Sequence, residues 1–209
     1  MTSLRSPAID RRAIPPQACE SRWHGPDGHA IRRIDWPGDE AAPRGSILFL
    51  PGRGDNYEKY LEACEEWHRG GWRVTAADWR GQAGSGRLGS DATTGHVGDF
   101  GVWLDDLAAL WRVWASGTPG PHVIAAHSMG GHLALRAVAE GRVRPDALVL
   151  VAPMLGMAGP PLPLPLLHSL PLLLLLPLLL RLPSMGRSTW RPNPKTKQKR
   201  RRKECQGHR

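Results

Sequence analysis

Acidic and aromatic residues are scarce in the last quarter of this 209-residue chain. Residues 153–209 contain 11 Lys and Arg but a single acid, Glu204, and a single aromatic residue, Trp190. Residues 1–152 contain 17 Lys and Arg against 18 Asp and Glu, so the formal net charge of +9 comes from the C-terminal part. Because aromatic side chains supply much of a protein core, the material for a packed domain is concentrated in the first part.

Cysteine is rare as well, and no cofactor or metal-binding motif is found in the sequence. The three cysteines, Cys19, Cys64 and Cys205, are odd in number and far apart, which argues against a disulfide framework and favours reduced thiols. The glycines of Gly81–Gly86 follow the order G-x-x-G-x-G, the reverse of the dinucleotide fingerprint. The N-terminal residues lack the apolar segment of a secretory signal, so a cytoplasmic location is expected.

The residues that are present predict alternating strands and helices. A hairpin is predicted at Ser21–His24 and His29–Asp35, around a Gly-Pro-Asp-Gly turn. Four continuous apolar runs predict buried parallel strands at residues 46–50, 72–77, 123–126 and 147–152. Helical patterns follow the first three of these runs. The predicted fold class is α/β, with a mostly parallel sheet and an N-terminal hairpin. Such sheets bind ligands at the carboxyl ends of their strands.

One of these carboxyl ends carries a candidate nucleophile. A short apolar run stops at Ser128, and Gly130 and Gly131 then begin a run of helix formers. Catalysis by a serine requires its hydroxyl at the tip of such a tight strand-to-helix turn, with small neighbours and free amides beside it. A serine that merely begins a helix after a buried strand is the alternative from this motif alone.

Four motifs in order resemble the α/β-hydrolase fold, in particular its monoacylglycerol lipase and lysophospholipase branch. They are Leu-Pro-Gly-Arg-Gly at 50–54, Asp-Trp-Arg-Gly-Gln at 78–82 with Gly-Ser-Gly at 84–86, Gly-His-Val-Gly-Asp-Phe at 95–100, and His-Ser-Met-Gly-Gly at 127–131. The resemblance covers about residues 20–158, which are expected to form the hydrolase core.

The resemblance implies a serine ester hydrolase that acts on small lipid-like carboxylic esters without a cofactor or metal. Ser128 would be the nucleophile, and the backbone amides of Arg53 and Met129 would form the oxyanion hole. His127 is not expected to be the base, because successive residues through the turn point in different directions. It is expected to pack beside the strand.

The family's acid and base, which follow the nucleophile in the order Ser, Asp or Glu, His, have no counterpart in the later sequence. After Asp146 the only acid is Glu204, and the later histidines are His168 and His208. The helical lid and the last strands of the family also have no counterpart after about residue 160. The resemblance therefore implies a partial fold without its C-terminal strands, and a chain with little or no activity.

Residues 159–209 form a low-complexity tail in place of those elements. Leu162–Leu182 is almost entirely Leu and Pro, and Lys195–Lys203 is strongly basic. The first segment is long enough to cross a membrane, but four prolines interrupt it. The basic run predicts a disordered tail rather than specific nucleic-acid binding. We therefore expect residues 159–209 to be disordered or to be the product of a shifted reading frame. The alternative for the whole chain is a non-catalytic, membrane-tethered or interaction protein that retains part of the hydrolase fold. The oligomeric state is open.

Overall fold

The structure is a computed structural model that describes residues 13–38 and 44–156. Contacts divide the chain into one unit, Met1–Leu155, and a second, Gly156–Arg209. The predicted tail, residues 159–209, lies outside the described residues. In the described ranges, no helix is both long and apolar enough to span a bilayer.

The described residues form a six-stranded sheet with three α-helices. The strands are β1 (Cys19–His24), β2 (Ala30–Trp36), β3 (Ser46–Leu50), β4 (Arg73–Ala77), β5 (His122–His127) and β6 (Ala147–Val151). The helices are α1 (Leu61–Arg69), α2 (Phe100–Ser116) and α3 (Ser128–Ala139), with short 3-10 turns at Tyr57–Tyr60 and Ala83–Ser85.

The strand order is β1-β2-β4-β3-β5-β6. The hairpin β1–β2 is antiparallel and β2 pairs antiparallel with β4, whereas β4, β3, β5 and β6 run parallel to one another. This arrangement confirms the predicted class, a mostly parallel sheet with an N-terminal hairpin.

Helices cover both faces of the sheet, and alternate residues of β3 explain why. Ile47 and Phe49 face α1, whereas Leu48 and Leu50 face the cluster formed by α2 and α3. A strand whose side chains are buried on both faces needs a continuous apolar sequence. The five residues of β3 are all buried, as the sequence predicts.

Two expectations need correction. The helical pattern predicted after residues 46–50 is not one α-helix, because Tyr57–Tyr60 forms a 3-10 turn capped by the side chain of Asn56 before α1 begins at Leu61. The expectation of reduced thiols holds for Cys64, which is free and buried, but Cys19 is disulfide-bonded. Burial raises the pKa of the Cys64 thiol to about 12, so it is an inert core residue.

A buried arginine ties the hairpin turn to α2. The Arg80 guanidinium donates to both carboxylate oxygens of Asp106 at 2.7 Å, and it also contacts Asp27 in the turn between β1 and β2. Asp105, the neighbour of Asp106, is exposed and pairs with Arg142. Both aspartates of α2 therefore serve in ion pairs.

Candidate functional site

The candidate site lies where β3 and β5 end at the same edge of the sheet. These two strands are parallel neighbours, and Leu50 is paired with Ala126 at their carboxyl ends. The chain leaves β3 into the loop Pro51–Gly54, which we call the oxyanion loop, and leaves β5 into Ser128. The sheet register therefore places this loop beside the serine.

Ser128 has a left-handed backbone conformation, with φ of 50°. This conformation is costly for a residue with a side chain, and it occurs where the surrounding structure enforces it. The neighbours must be small: a Cβ at Gly130 would lie 2.6 Å from the carbonyl oxygen of Leu50, and one at Gly131 would lie 3.1 Å from Cβ of Pro153. The strand, the serine and the helix thus form a tight strand-to-helix turn with Ser128 at its tip.

The loop after β4 holds both ends of the oxyanion loop. The indole N–H of Trp79 donates to the carbonyl oxygen of Pro51 at 2.7 Å, and Oε1 of the buried Gln82 accepts from the amide of Gly54 at 2.5 Å. Between them, the amide of Arg53 has no hydrogen-bond partner within the described part of the chain. This amide is therefore an unpaired donor in the described part of the chain.

The N-terminus of α3 offers a second donor. His127 occupies the N-cap position, but its side chain makes no capping hydrogen bond. The first amides of a helix have no partner within the helix, and they carry the positive end of its dipole. Met129, whose side chain is fully buried, supplies one of these amides. The two predicted oxyanion donors, Arg53 and Met129, thus belong to segments that meet at Ser128.

His127 takes part in a polar network that the sequence did not reveal. Its Nδ1 lies 2.9 Å from the hydroxyl of Tyr60 and 3.4 Å from Oδ2 of Asp55, and the Tyr60 hydroxyl donates to that same carboxylate oxygen at 2.8 Å. Tyr60 itself is half-buried. A polar Asp55 one turn before an aromatic residue is too common a pattern to predict such contacts.

A general base and a triad acid are not found among residues 13–38 and 44–156. The hydroxyl of Ser128 has no hydrogen-bond partner there. Asp78, the acid at the end of β4, is fully engaged: it accepts from Arg32 at 2.8 Å and from the amides of Tyr57 and Gly84 at 3.1 Å each. The later candidates Glu204, His168 and His208 lie outside the described residues.

A serine on a strand-to-helix elbow, facing a glycine loop at the carboxyl edge of a parallel sheet, defines a site of the serine-hydrolase type on an α/β-hydrolase sheet. Residues 41–206 match the family described as serine aminopeptidase, S33, and the chain belongs to that family.

Curated proteins named lysophospholipase L2 are similar to part of the chain. Lysophospholipase L2 of Escherichia coli is 40% identical over 114 residues, 53% of this chain and 33% of that protein. The probable lysophospholipase L2 of Haemophilus influenzae is 30% identical over 129 residues, 61% of this chain and 40% of that protein. The chain thus spans less than half the length of the curated relatives it matches.

Solved structures confirm the fold. An α/β hydrolase from Novosphingobium aromaticivorans superposes with a TM-score of 0.51 and 26% identity, covering 64% of this chain and 44% of that one. The α/β hydrolase GrgF from Penicillium superposes with a TM-score of 0.55 at 18% identity, covering 69% of this chain and 48% of that one. The second likeness shows the fold alone.

Proposed function

We propose that the chain carries the nucleophile-bearing part of a serine ester hydrolase of the lysophospholipase or monoacylglycerol lipase type. The observation that supports it best is the combination at one point of the strained Ser128, the unpartnered amide of Arg53 and the uncapped N-terminus of α3. A serine in a left-handed conformation is expensive to maintain, and a role in catalysis accounts for it.

The chemistry follows from these positions. The Ser128 oxygen attacks the ester carbonyl carbon, and the oxyanion that forms accepts hydrogen bonds from the amides of Arg53 and Met129. When the intermediate collapses, the carbon–oxygen bond to the alcohol breaks and the alcohol departs. The acyl group remains bonded to the serine oxygen. Water then hydrolyses this acyl-enzyme. Each stage needs a base that accepts the proton of the attacking hydroxyl and returns it to the leaving group.

This proton acceptor is what the described residues do not supply. Removal of the base from a serine hydrolase costs several orders of magnitude in rate, roughly 10⁶-fold in a well-studied case. We therefore expect a site built from the described residues alone to turn over an ester several orders of magnitude more slowly than a serine hydrolase with its base. The acyl and alcohol groups are open, since the chain covers only 33% of the first curated relative.

The substrate class is proposed from the relatives rather than from a pocket. The curated relatives described above carry the name lysophospholipase, which favours lipid-like carboxylic esters. The family description names an aminopeptidase, and peptide amides react through the same tetrahedral intermediate. An ester is the less demanding substrate for a site without a proton donor, because an alkoxide leaves more readily than an amide anion.

A fluorophosphonate probe tests the proposal without requiring turnover. The full chain is incubated with the probe, and peptide mapping by mass spectrometry locates the adduct, in which a serine O–P bond replaces the P–F bond and the serine proton passes to the buffer. We expect one adduct at Ser128 that is absent in Ser128→Ala and that forms slowly, because the oxyanion donors assist the attack while the described residues supply no base. Ser116→Ala, a change at an exposed serine at the end of α2, should label like the parent chain.

The competing function is a non-catalytic, membrane-tethered or interaction protein that retains part of the hydrolase fold. The hydroxyl of Ser128, which lacks a partner among the described residues, is the observation that favours it. A chain with the circular dichroism spectrum of a folded α/β protein and no adduct at Ser128 would support this alternative over the ester hydrolase.

A further inference from the structure

The network of Asp55, Tyr60 and His127 connects the two halves of the site. Asp55 follows the oxyanion loop directly, His127 is the last residue of β5, and Tyr60 lies on the 3-10 turn between the loop and α1. We propose that Tyr60 is a positioning residue whose hydroxyl fixes His127 in its Nδ1–H form and holds the oxyanion loop against Ser128. The catalytic part of this inference rests on the proposed function.

The number of protons in the network determines the form of His127. Asp55 accepts from Lys59 at 2.6 Å through Oδ1 and from the Tyr60 hydroxyl at 2.8 Å through Oδ2. A phenol has a single proton, so once Tyr60 donates to the carboxylate its oxygen can only accept. The nitrogen 2.9 Å away, Nδ1 of His127, must then carry a hydrogen. The 3.4 Å separation between this nitrogen and Oδ2 favours the same assignment.

The ionisation states of Asp55 and Tyr60 agree with this count. Partial burial by itself would raise the pKa of Asp55, but hydrogen bonds from Lys59 and Tyr60 hold it below its ordinary value. Burial and the neighbouring Asp55 raise the pKa of Tyr60 above its ordinary value. At neutral pH, therefore, Asp55 is a carboxylate and Tyr60 keeps its proton, and a charge-assisted hydrogen bond forms between them.

Gly52 transmits this arrangement to the serine. A Cβ at Gly52 would lie 2.8 Å from Oδ2 of Asp55, 3.1 Å from Nδ1 of His127 and 3.1 Å from Cβ of Ser128. The backbone of the oxyanion loop thus lies directly between the network and the nucleophile, with no space for a side chain. Arg53 is the next residue, so a movement of the network changes the direction of its amide.

Loss of the Tyr60 hydroxyl removes a group that contacts both Asp55 and His127 at hydrogen-bond distance. His127 then keeps only the longer 3.4 Å contact with Asp55, so its Nδ1–H form is less strongly favoured, and Asp55 retains Lys59, whose side chain is largely exposed. We expect the loop to lose its fixed position and the Arg53 amide to bind an oxyanion less well. Complete loss of one oxyanion donor costs about 100- to 1,000-fold in rate, so a loosened donor should cost roughly tenfold.

Tyr60→Phe tests the inference, and Tyr57→Phe is a matched control. Both variants lose one tyrosine hydroxyl from the same 3-10 turn, but that of Tyr57 contacts Glu20 in β1, away from the site. The first measurement is the ¹⁵N spectrum of the full chain labelled at histidine, with His127→Gln to assign the signals, at a pH where His127 is neutral. We expect protonated Nδ1 in the parent chain and Tyr57→Phe, and an increased population of the form protonated at Nε2 in Tyr60→Phe, where only the 3.4 Å contact with Asp55 remains.

The second measurement is the rate of fluorophosphonate labelling at Ser128. We expect Tyr60→Phe to react roughly tenfold more slowly than Tyr57→Phe, which should stay within about twofold of the parent chain. Equal rates in both variants, or an Nε2–H form in the parent chain, would overturn the inference. If the parent chain does not label, the proposed function fails, while the ¹⁵N spectrum still decides the positioning of His127. Thermal unfolding of both variants separates these results from a loss of folding.

Discussion

At the scale of single residues, the site depends on positions where the backbone allows little choice. Ser128 adopts φ of 50°, and Gly130 and Gly52 pack so closely against neighbouring atoms that a side chain would collide with them. Such features cost stability and are retained where geometry is needed for function. Substitutions at these positions therefore measure how much folding stability the backbone conformation and the close packing of the turn cost.

The strain at Ser128 can be measured by comparing two substitutions. Both Ser128→Gly and Ser128→Ala remove the hydroxyl, but only glycine adopts the left-handed conformation without penalty. That penalty is about 1 to 2 kcal/mol, and the greater flexibility of glycine in the unfolded chain offsets about half of it. We expect Ser128→Gly to be about 0.5 to 1 kcal/mol more stable than Ser128→Ala in urea unfolding. A less stable glycine variant would show that the elbow is not strained.

Close packing at Gly130 gives a second prediction, in which glycine is again more stable than alanine but for a steric reason. Alanine is the better helix former, but its Cβ would lie 2.6 Å from the backbone oxygen of Leu50, which cannot move without displacing β3. We expect Gly130→Ala to lose about 1 to 3 kcal/mol of unfolding free energy, as overpacked cores do. Gly98→Ala, where a Cβ meets nothing within 4 Å, is the control and should change stability little. Equal stabilities of the two variants would contradict the packing argument.

At the scale of elements, the sequence predicts strands well and contacts poorly. The bounds of β3 agree with the apolar run at Ser46–Leu50, because burial on both faces requires apolar side chains throughout. The elbow at Ser128 was recognisable because its small neighbours are adjacent in sequence. Gln82 and Tyr60 were not recognised as parts of the site, since their partners Gly54 and His127 are brought close only by the sheet.

The strand β6 gives a prediction for solubility. Val149 and Val151 are 48% and 53% exposed, and β6 pairs only with β5 among the described residues. An exposed apolar edge invites pairing with other chains, and a charged residue on such an edge prevents it. We expect the full chain to be poorly soluble when expressed alone, and Val149→Lys to increase its soluble fraction.

The matched control for the edge is Leu150→Lys. Leu150 packs against the cluster of α2 and α3, so a lysine there places a charge at the core instead of at the surface. We expect Leu150→Lys to lower the thermal stability without improving solubility, as judged by centrifugation and light scattering. A parent chain that is a monodisperse monomer, or no difference between the two variants, would show that β6 is not the cause of aggregation.

At the scale of the whole molecule, two arginines connect the hairpin to the rest of the sheet and helices. Arg32 of β2 contacts Glu58 on the 3-10 turn and Asp78 at the end of β4. Arg80 contacts Asp27 in the hairpin turn and Asp106 in α2. Bidentate arginine pairs of this kind combine charge with fixed geometry. Their carboxylates must stay ionised, so the fold should be sensitive to acid.

Asp27 makes this sensitivity testable. Hydrogen bonds from Arg80 and from the amide of His29 hold the pKa of Asp27 well below its ordinary value. Since the folded state has the lower pKa, the stabilising contribution is complete above the unfolded pKa of about 3.9 and is lost as the pH falls through the folded value. We expect the melting temperature of the parent chain to fall more steeply below about pH 4 than that of Asp27→Asn, which cannot be protonated there.

Asp27→Glu, which keeps a titratable group facing Arg80, should retain part of the acid-dependent slope. The chain has a formal charge of +9 at neutral pH, so acid also increases the repulsion between its positive charges. This repulsion changes nearly equally in all three proteins, and salt screens it. The difference in slope between the parent chain and Asp27→Asn should therefore persist at high salt. Parallel melting curves across this pH range would mean that the ion pair between Asp27 and Arg80 does not stabilise the fold.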